Sequence, residues 1–128
     1  MTHLDLARAL FQAFTEGDET AARDLCASDL VAIQNHGPPM DLDELLGFSL
    51  SVLDVVSDFR YEDVVCTETG NGFVEEHSVR GTLPDGSSLK LAACVVAEVR
   101  DGRIASLREY LDTLAAAPLG KALKAGRG

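Results

Sequence analysis

Apolar residues in the first half of the chain recur at the spacing of helices. One face of the first predicted helix carries four of them at three- and four-residue steps, namely Leu4, Ala7, Phe11 and Phe14. Thr2 and Asp5 resemble an N-cap box at the start of that helix, which should end at Gly17. Asp18 can cap a second, short helix over residues 19–25. Leucines at helical spacing predict a third helix from residue 41 to about residue 56.

The remaining segments have the pattern of strands. A first short strand, "DLVAIQN", precedes the breaker "HGPP". After Asp58, turn signals separate four longer strands, "FRYEDVVCTE", "GFVEEHSVRGTL", "SLKLAACVVAEV" and "RIASLREYLD". Helices gathered early and an antiparallel meander gathered late predict an α+β domain. The residues after Asp112 are expected to add a short helix before a glycine-rich, basic end.

The charge of the chain limits its partners. A length of 128 residues suits one domain, and 11 basic against 21 acidic residues give a formal charge of −10. Such an acidic surface repels phosphate backbones and anionic lipid, so neither nucleic acid nor a membrane is an expected partner. The start "MTHLDLARAL" lacks the pattern of a signal peptide, and no apolar run reaches the roughly 20 residues of a membrane span. We therefore expect a cytoplasmic protein.

The cysteines indicate no special chemistry. Cys26, Cys66 and Cys94 are far apart and show no CxxC or Cys/His ligand spacing. We expect all three to be reduced and buried. The sequence therefore predicts no disulfide framework, no metal site and no organic cofactor.

The order of the elements and two motifs resemble a known superfamily. The motifs are the "LPDG" turn and the ending "DGRIASLREYLD" of the last strand. The chain resembles the SnoaL-like and ketosteroid-isomerase-like proteins, also called nuclear transport factor 2-like, over residues 4–112. The resemblance implies one domain over residues 1–128, with a tail at 113–128. It also implies a cone-shaped α+β barrel, in which N-terminal helices pack on a strongly curved, mainly antiparallel sheet around an apolar pocket.

The last strand carries the first candidate catalytic residue. In the superfamily the carboxylate before the Tyr of the ending, here Glu109, points into the pocket. Alternation agrees with this implication, because Leu107, Glu109 and Leu111 share one face of the strand. Asp112 then lies on the other face at the strand end, where we expect it to cap the following segment.

Limonene epoxide hydrolase, a member of the superfamily, permits a comparison residue by residue. Its Tyr-x-Asn falls on Ile33 and Asn35, so the Asn is matched and the Tyr is not. Its Arg-x-Asp falls on Glu76 and Ser78, and its final Asp becomes Glu109. Because the Arg and one Asp are absent, the relay that protonates an opening epoxide is missing. Epoxide hydrolysis is therefore the least favoured alternative.

Four polar residues remain that we expect to face one apolar cavity, namely Asn35, Glu76, Ser78 and Glu109. Ionising both carboxylates in such a site is unfavourable, because burial and mutual repulsion both disfavour the second charge. One of them would therefore hold its proton near neutral pH. We hypothesise that Glu109 is a general base and Glu76 a general acid, while Asn35 and Ser78 orient the substrate oxygen. The predicted ligand-binding set also includes Ile33, His36 and Leu107.

Structural roles are open alternatives for some of these residues. Glu76 could form an ion pair with Arg80, two residues along on the same face. His36 could be an ordinary turn residue. Glu75 and His77 are expected on the opposite, outer face of the sheet, in solvent or at a dimer interface.

Together these observations predict a protein that binds a hydrophobic, carbonyl-bearing small molecule and isomerises or cyclises it by proton transfer. The alternatives are a binding module of the same shape without chemistry, or an interaction protein. The resemblance implies a homodimer through the outer face of the sheet. Its candidate contacts are Ala92, Cys94, Arg108 and Tyr110.

Overall fold

The computed structural model describes residues 1–126 of the chain. Its four helices are α1 His3–Glu16, α2 Glu19–Leu25, α3 Leu42–Val55 and α4 Thr113–Gly126. Its five strands are β1 Cys26–Gln34, β2 Ser57–Thr69, β3 Gly72–Thr82, β4 Ser88–Arg100 and β5 Arg103–Leu111. The last two residues of the predicted tail, 127 and 128, lie outside the described residues.

The five strands form one mixed sheet in the order β1-β5-β4-β3-β2. Strands β2 to β5 form an antiparallel meander, and β1 pairs with β5 in parallel. A parallel pair needs a long crossover connection, which here contains α3 and the other three strands. The α+β class and the mainly antiparallel sheet are confirmed.

Local capping explains where the helices begin and end. Thr2 Oγ1 accepts from the Asp5 amide, and the Asp5 carboxylate accepts from the Thr2 amide, so α1 starts with a capping box. These hydrogen bonds to Thr2 hold the pKa of Asp5 below its usual value. Gly17 ends α1 with a left-handed φ of 68°, and Asp18 caps α2. The predicted bounds of both helices are confirmed.

The C-terminal helix is longer than predicted. Asp112 Oδ1 accepts from the amides of Leu114 and Ala115 at 3.0 and 3.3 Å, so this residue caps α4 as expected. The helix then runs for 14 residues, because Leu119 is buried in a core cluster with Val52 and Leu91. The tail is therefore part of the fold and not an appendage.

The core lies between the helices and one face of the sheet, which we call the inner face. A first cluster joins α1 and α2 to the sheet around Leu10, Phe73 and Ile104. A second cluster joins α3 and α4 to the C-terminal end of β3 and the N-terminal end of β4. Of the described helices, none is both long and apolar enough to cross a membrane.

The cysteines are free thiols, but not all are buried. Cys26 is buried, and burial raises its pKa to about 11. Cys66 and Cys94 are half-buried, which corrects the expectation for these two. Both thiols are partly exposed because Cys66 lies on the edge strand β2 and Cys94 lies on the outer face of β4.

Candidate functional site

A narrow cavity of about 80 Å³ lies on the inner face of the sheet, beneath α1 and α3. Its walls are mainly apolar, and three of the lining residues are Phe11, Phe14 and Phe48. Three polar side chains also line it, namely Gln34, Tyr61 and Glu109. An apolar pocket with a few convergent polar groups is the usual form of a small-molecule site.

Glu109 is held in the cavity wall by its neighbour on β1. Gln34 and Glu109 are partners in the parallel pair of β1 and β5, so both side chains point to the inner face. Gln34 Nε2 donates to Glu109 Oε1 at 2.6 Å. The second carboxylate oxygen of Glu109 remains available to accept a proton.

Tyr61 brings a neutral phenol to the same cavity. Its ring lies edge-on to Phe11 and Phe59, with both centroid distances 5.2 Å. Burial raises the pKa of Tyr61 far above its usual value, and the negative charges of Glu109 and Glu75 raise it further. The phenol therefore keeps its proton and acts as a hydrogen-bond donor. Sequence analysis did not select this residue.

The side chains of β3 point to the faces of the sheet opposite to those predicted. Glu75 and His77 are the buried pair, 3% and 4% exposed, whereas Glu76 is exposed on the outer face. The inner face is fixed by the buried Phe73 and Val79, which alternate with Glu75 and His77. The prediction that Glu76 lies in the pocket as general acid is wrong, because it followed the epoxide hydrolase motif and not these apolar neighbours.

Glu75 and His77 form a buried pair beside the cavity. His77 Nδ1 lies 2.7 Å from Glu75 Oε2, at hydrogen-bond distance. The imidazole lies against the rings of Tyr61 and Phe11, at centroid distances of 4.5 and 5.0 Å. Its other nitrogen, Nε2, is buried and has no hydrogen-bond partner within residues 1–126. The apolar alternation of β3 was the signal that could have placed this pair inside.

Ser78 also lies outside the cavity, on the outer face of β3. Arg80 Nε donates to Ser78 Oγ at 2.7 Å, and a second Arg80 nitrogen lies 3.4 Å from Asp63. The prediction that Ser78 orients a substrate oxygen is therefore wrong. The partners of Arg80 are Ser78 and Asp63, and not Glu76 as the alternative interpretation had it.

Asn35 and His36 do not reach the cavity either. Both have left-handed backbone angles, φ 49° and 57°, immediately after β1, and these turn the chain away. Asn35 Nδ2 donates to the Leu111 carbonyl, and its Oδ1 accepts from the Leu111 amide, which ties β1 to the end of β5. His36 is exposed and packs on Tyr110. Asn35 is therefore structural, and His36 is the turn residue of the alternative interpretation.

Two apolar members of the predicted ligand-binding set lie in the cavity wall. Ile33 lines it from β1 and Leu107 from β5, close to Glu109. That these side chains contact a ligand stays a prediction. Among residues 1–126, no group of three or more His, Cys, Asp or Glu side chains is placed to hold a metal ion.

Comparisons with known proteins agree with the fold. Residues 7–107 match the family model of the SnoaL-like domain. A search of the curated proteins finds no significant match.

Three solved structures that share the fold show the range of its relatives. A proposed polyketide cyclase from Xanthomonas campestris pv. campestris is 24% identical, with 91% of this chain and 96% of that chain covered and a TM-score of 0.80. A proposed isomerase from Bacillus subtilis is 15% identical, with 95% and 97% covered and a TM-score of 0.78. An NTF2-like protein from Burkholderia xenovorans is 19% identical, with 94% and 95% covered and a TM-score of 0.77. At these identities the likeness establishes the fold alone.

Proposed function

This chain belongs to the family of SnoaL-like domains, and we propose that it is an isomerase or cyclase that moves a proton on an apolar carbonyl compound bound beside Glu109. The observation that carries the proposal is a carboxylate held by Gln34 in the wall of an apolar cavity that Tyr61 also lines. The fold is shared with structures described as a proposed polyketide cyclase and a proposed isomerase, which supports the reaction class.

In the proposed mechanism Glu109 is the general base. Gln34 fixes Oε1, and the other oxygen removes a proton from the carbon next to the substrate carbonyl. Tyr61 donates a hydrogen bond to the carbonyl oxygen, on which negative charge develops. Glu109 then returns the proton to another carbon, which isomerises the substrate. In the cyclase alternative the enolate carbon bonds to a second carbonyl carbon and closes a ring, and the alkoxide that forms takes the proton from Glu109. The apolar walls keep water from the enolate.

The proposal is tested with a β,γ-unsaturated cyclohexenone, whose conversion to the conjugated enone is followed by ultraviolet absorbance. Proton transfer by a positioned base contributes roughly a hundred- to ten-thousandfold to rate, so Glu109→Gln should lower kcat by at least the smaller of these factors. Tyr61→Phe keeps the ring and should lower kcat by roughly a hundredfold through loss of one donor. Equal turnover by wild type and Glu109→Gln would contradict the proposal.

A binding protein without chemistry is the second candidate. It is favoured by the outward orientation of Glu76, which leaves Glu109 as the one carboxylate among the described residues that line the cavity. In this case the enone would bind, and Glu109→Gln would change its Kd, but wild type would not accelerate isomerisation.

We also propose that the protein is a homodimer through the outer face of the sheet. A wide depression there carries acidic Asp63 and Glu76 beside basic Arg80 and Lys90, with Tyr110 37% exposed. A patch with both charges can complement a copy of itself across a twofold axis. Sedimentation should give twice the mass of one chain for wild type and a monomer for Lys90→Glu. A monomeric wild type would contradict the dimer.

A further inference from the structure

The small cavity shares a wall with a larger space. A groove of about 510 Å³, which we call the α1–β2 groove, runs between α1 and β2. Glu75 and Cys66 line it from the sheet, and Arg8 and Val64 line it from α1 and β2. Phe11 and Tyr61 line both the groove and the cavity, and so separate them.

The two volumes argue that the cavity is only part of a binding site. Ligand pockets usually measure roughly 300 to 1,000 Å³, and the cavity of about 80 Å³ is well below that range. The groove of about 510 Å³ lies within it. A molecule that reached Glu109 from the groove would have ordinary ligand size.

The partition between the two spaces consists of two aromatic rings, one of which belongs to an edge strand with a bulge. Phe11 and Tyr61 meet edge to face, with centroids 5.2 Å apart. Tyr61 belongs to β2, which is an edge strand beside β3 in the described sheet. The register of this pair shifts between Glu62 and Val65, which marks a bulge that begins two residues after Tyr61. Bulges at sheet edges often lie beside functional sites.

A buried polar atom at the partition lacks a partner. The His77 side chain is 0% exposed and packs against both rings of the partition, and its Nε2 has no hydrogen-bond partner among residues 1–126. A buried nitrogen without a partner is unfavourable and rare in folded proteins. His77 lines neither the cavity nor the groove, but its contacts with both rings place the imidazole next to any ligand that lies between them.

Two arginines among the described residues line the groove, and Arg8 has the looser ion pair. Arg60 is already bound by Asp58 and Glu62 at 3.0 and 2.6 Å. Arg8 lies 3.7 Å from Asp5, beyond hydrogen-bond distance, and its side chain is 79% exposed. Its guanidinium can therefore bind the carboxylate of a ligand in a bidentate manner.

We propose that the cavity and the α1–β2 groove are two halves of one site, which binds an elongated molecule across the Phe11–Tyr61 pair. The apolar ring system lies beside Glu109, and an anionic end lies beside Arg8. This inference rests on the proposed function, because it names the class of substrate that Glu109 acts on. It also makes Val64, which lines the groove, and Met40, which lines the cavity, residues that contact the same molecule.

The test uses phenylnaphthylamine, a fluorescent probe of linked apolar rings, and two matched pairs of variants. Val64→Trp obstructs the groove, and Val65→Trp is its control, because Val65 is equally exposed but does not line the groove. Met40→Trp obstructs the cavity, because Met40 lines it and packs against the core, and the exposed Val31, which does not line it, gives the control Val31→Trp. Thermal unfolding checks each variant, and Leu45→Trp replaces Met40→Trp if the latter does not fold.

The expected result is one bound probe per chain, with Kd raised roughly tenfold by each obstructing variant and unchanged by each control. A rise for Met40→Trp alone would overturn the shared site and leave the cavity and Glu109 as proposed. A rise for Val64→Trp alone, or for neither variant, would also overturn it. Conversely, full turnover by Glu109→Gln would refute the proposed function even where both obstructing variants weaken binding.

The anionic end is tested with the sulfonated form of the same probe, anilinonaphthalene sulfonate. Arg8→Gln should raise the Kd of the sulfonate roughly three- to tenfold through loss of a charge-assisted contact. The same variant should leave phenylnaphthylamine binding unchanged. Equal effects on the two probes, or no effect on either, would overturn the role of Arg8.

Discussion

The two faces of β3 carry similar residues in opposite surroundings. On the inner face Glu75 and His77 are buried against aromatic rings and bond to each other. On the outer face Glu76 is exposed, and Arg80 bonds to Ser78 and approaches Asp63 at 3.4 Å. Charges interact strongly where water is excluded and weakly where it is not. Adjacent residues of one strand therefore differ in what they can do.

The proposed chemistry lies on one face of the sheet and the proposed association on the other. Inside, Tyr61 stays protonated because burial and the nearby carboxylates raise its pKa. A fixed donor beside Glu109 is what enolate formation requires. Outside, exposed ion pairs contribute little stability but can select a partner.

The largest difference between the faces should appear in stability. Glu75→Ala leaves the buried His77 without its partner, and breaking a buried pair costs about 3 kcal/mol or more in the free energy of unfolding. Glu76→Ala removes an exposed carboxylate and should cost less than about 0.5 kcal/mol. Urea unfolding measures both.

A double variant sharpens this prediction. Glu75→Leu with His77→Phe removes both polar groups together, and such replacements are often neutral. We therefore expect it to be more stable than Glu75→Ala. Equal losses in the free energy of unfolding for Glu75→Ala and Glu76→Ala would contradict the difference between the faces.

A second difference should appear at alkaline pH. The phenol of Tyr61 ionises near pH 10 in the unfolded chain, but its pKa is raised in the folded protein. Its contribution to stability is therefore complete below about pH 10 and is lost above it, by up to about 1.4 kcal/mol per pH unit. Tyr61→Phe should flatten the decline in urea unfolding between pH 10 and pH 11. Tyr110 lies on the outer face, so Tyr110→Phe is the control and should leave this decline in stability unchanged.

The smallest difference concerns two thiols that each have a glutamate nearby. Burial and then the charge of Glu75 raise the pKa of Cys66 to about 11, and burial and then Glu76 raise the pKa of Cys94. Glu75→Gln should speed iodoacetamide alkylation of Cys66 at pH 9 by roughly two- to fivefold, because more thiolate forms.

The control is Glu76→Gln, which should change the alkylation of Cys94 less, because solvent and salt screen charges on the outer face. Mass spectrometry of tryptic peptides separates the two sites. A larger acceleration at Cys94 than at Cys66 would reverse the assignment of the faces.

Much of the fold could be predicted because its signals are local. Helix spacing, the Thr2 cap and Gly17 lie within a few residues of the elements they define, and the predicted bounds of α1 agree. The length of α4 could not be predicted, since it depends on the packing of Leu119 against residues distant in the chain.

The candidate site was predictable where apolar neighbours fix a face. Leu107 and Leu111 flank Glu109, and this carboxylate lines the cavity. On β3 apolar residues stand on both faces, and the choice of Glu76 followed a motif instead of Phe73 and Val79. Tyr61 shares a face with Phe59 and alternates with Arg60 and Glu62, which was a signal for an inward position. Its place beside Glu109 could not be predicted, because it depends on the register of β2, which shifts on both sides of Tyr61.

The most direct test of the account compares rescue by acetate in two alanine variants. Glu109→Ala should isomerise the cyclohexenone far more slowly than wild type and should recover activity in proportion to added acetate, which replaces the missing base. Glu76→Ala should match wild type with or without acetate. Near-normal turnover by Glu109→Ala, with activity lost in Glu76→Ala, would contradict the assignment of chemistry to the inner face.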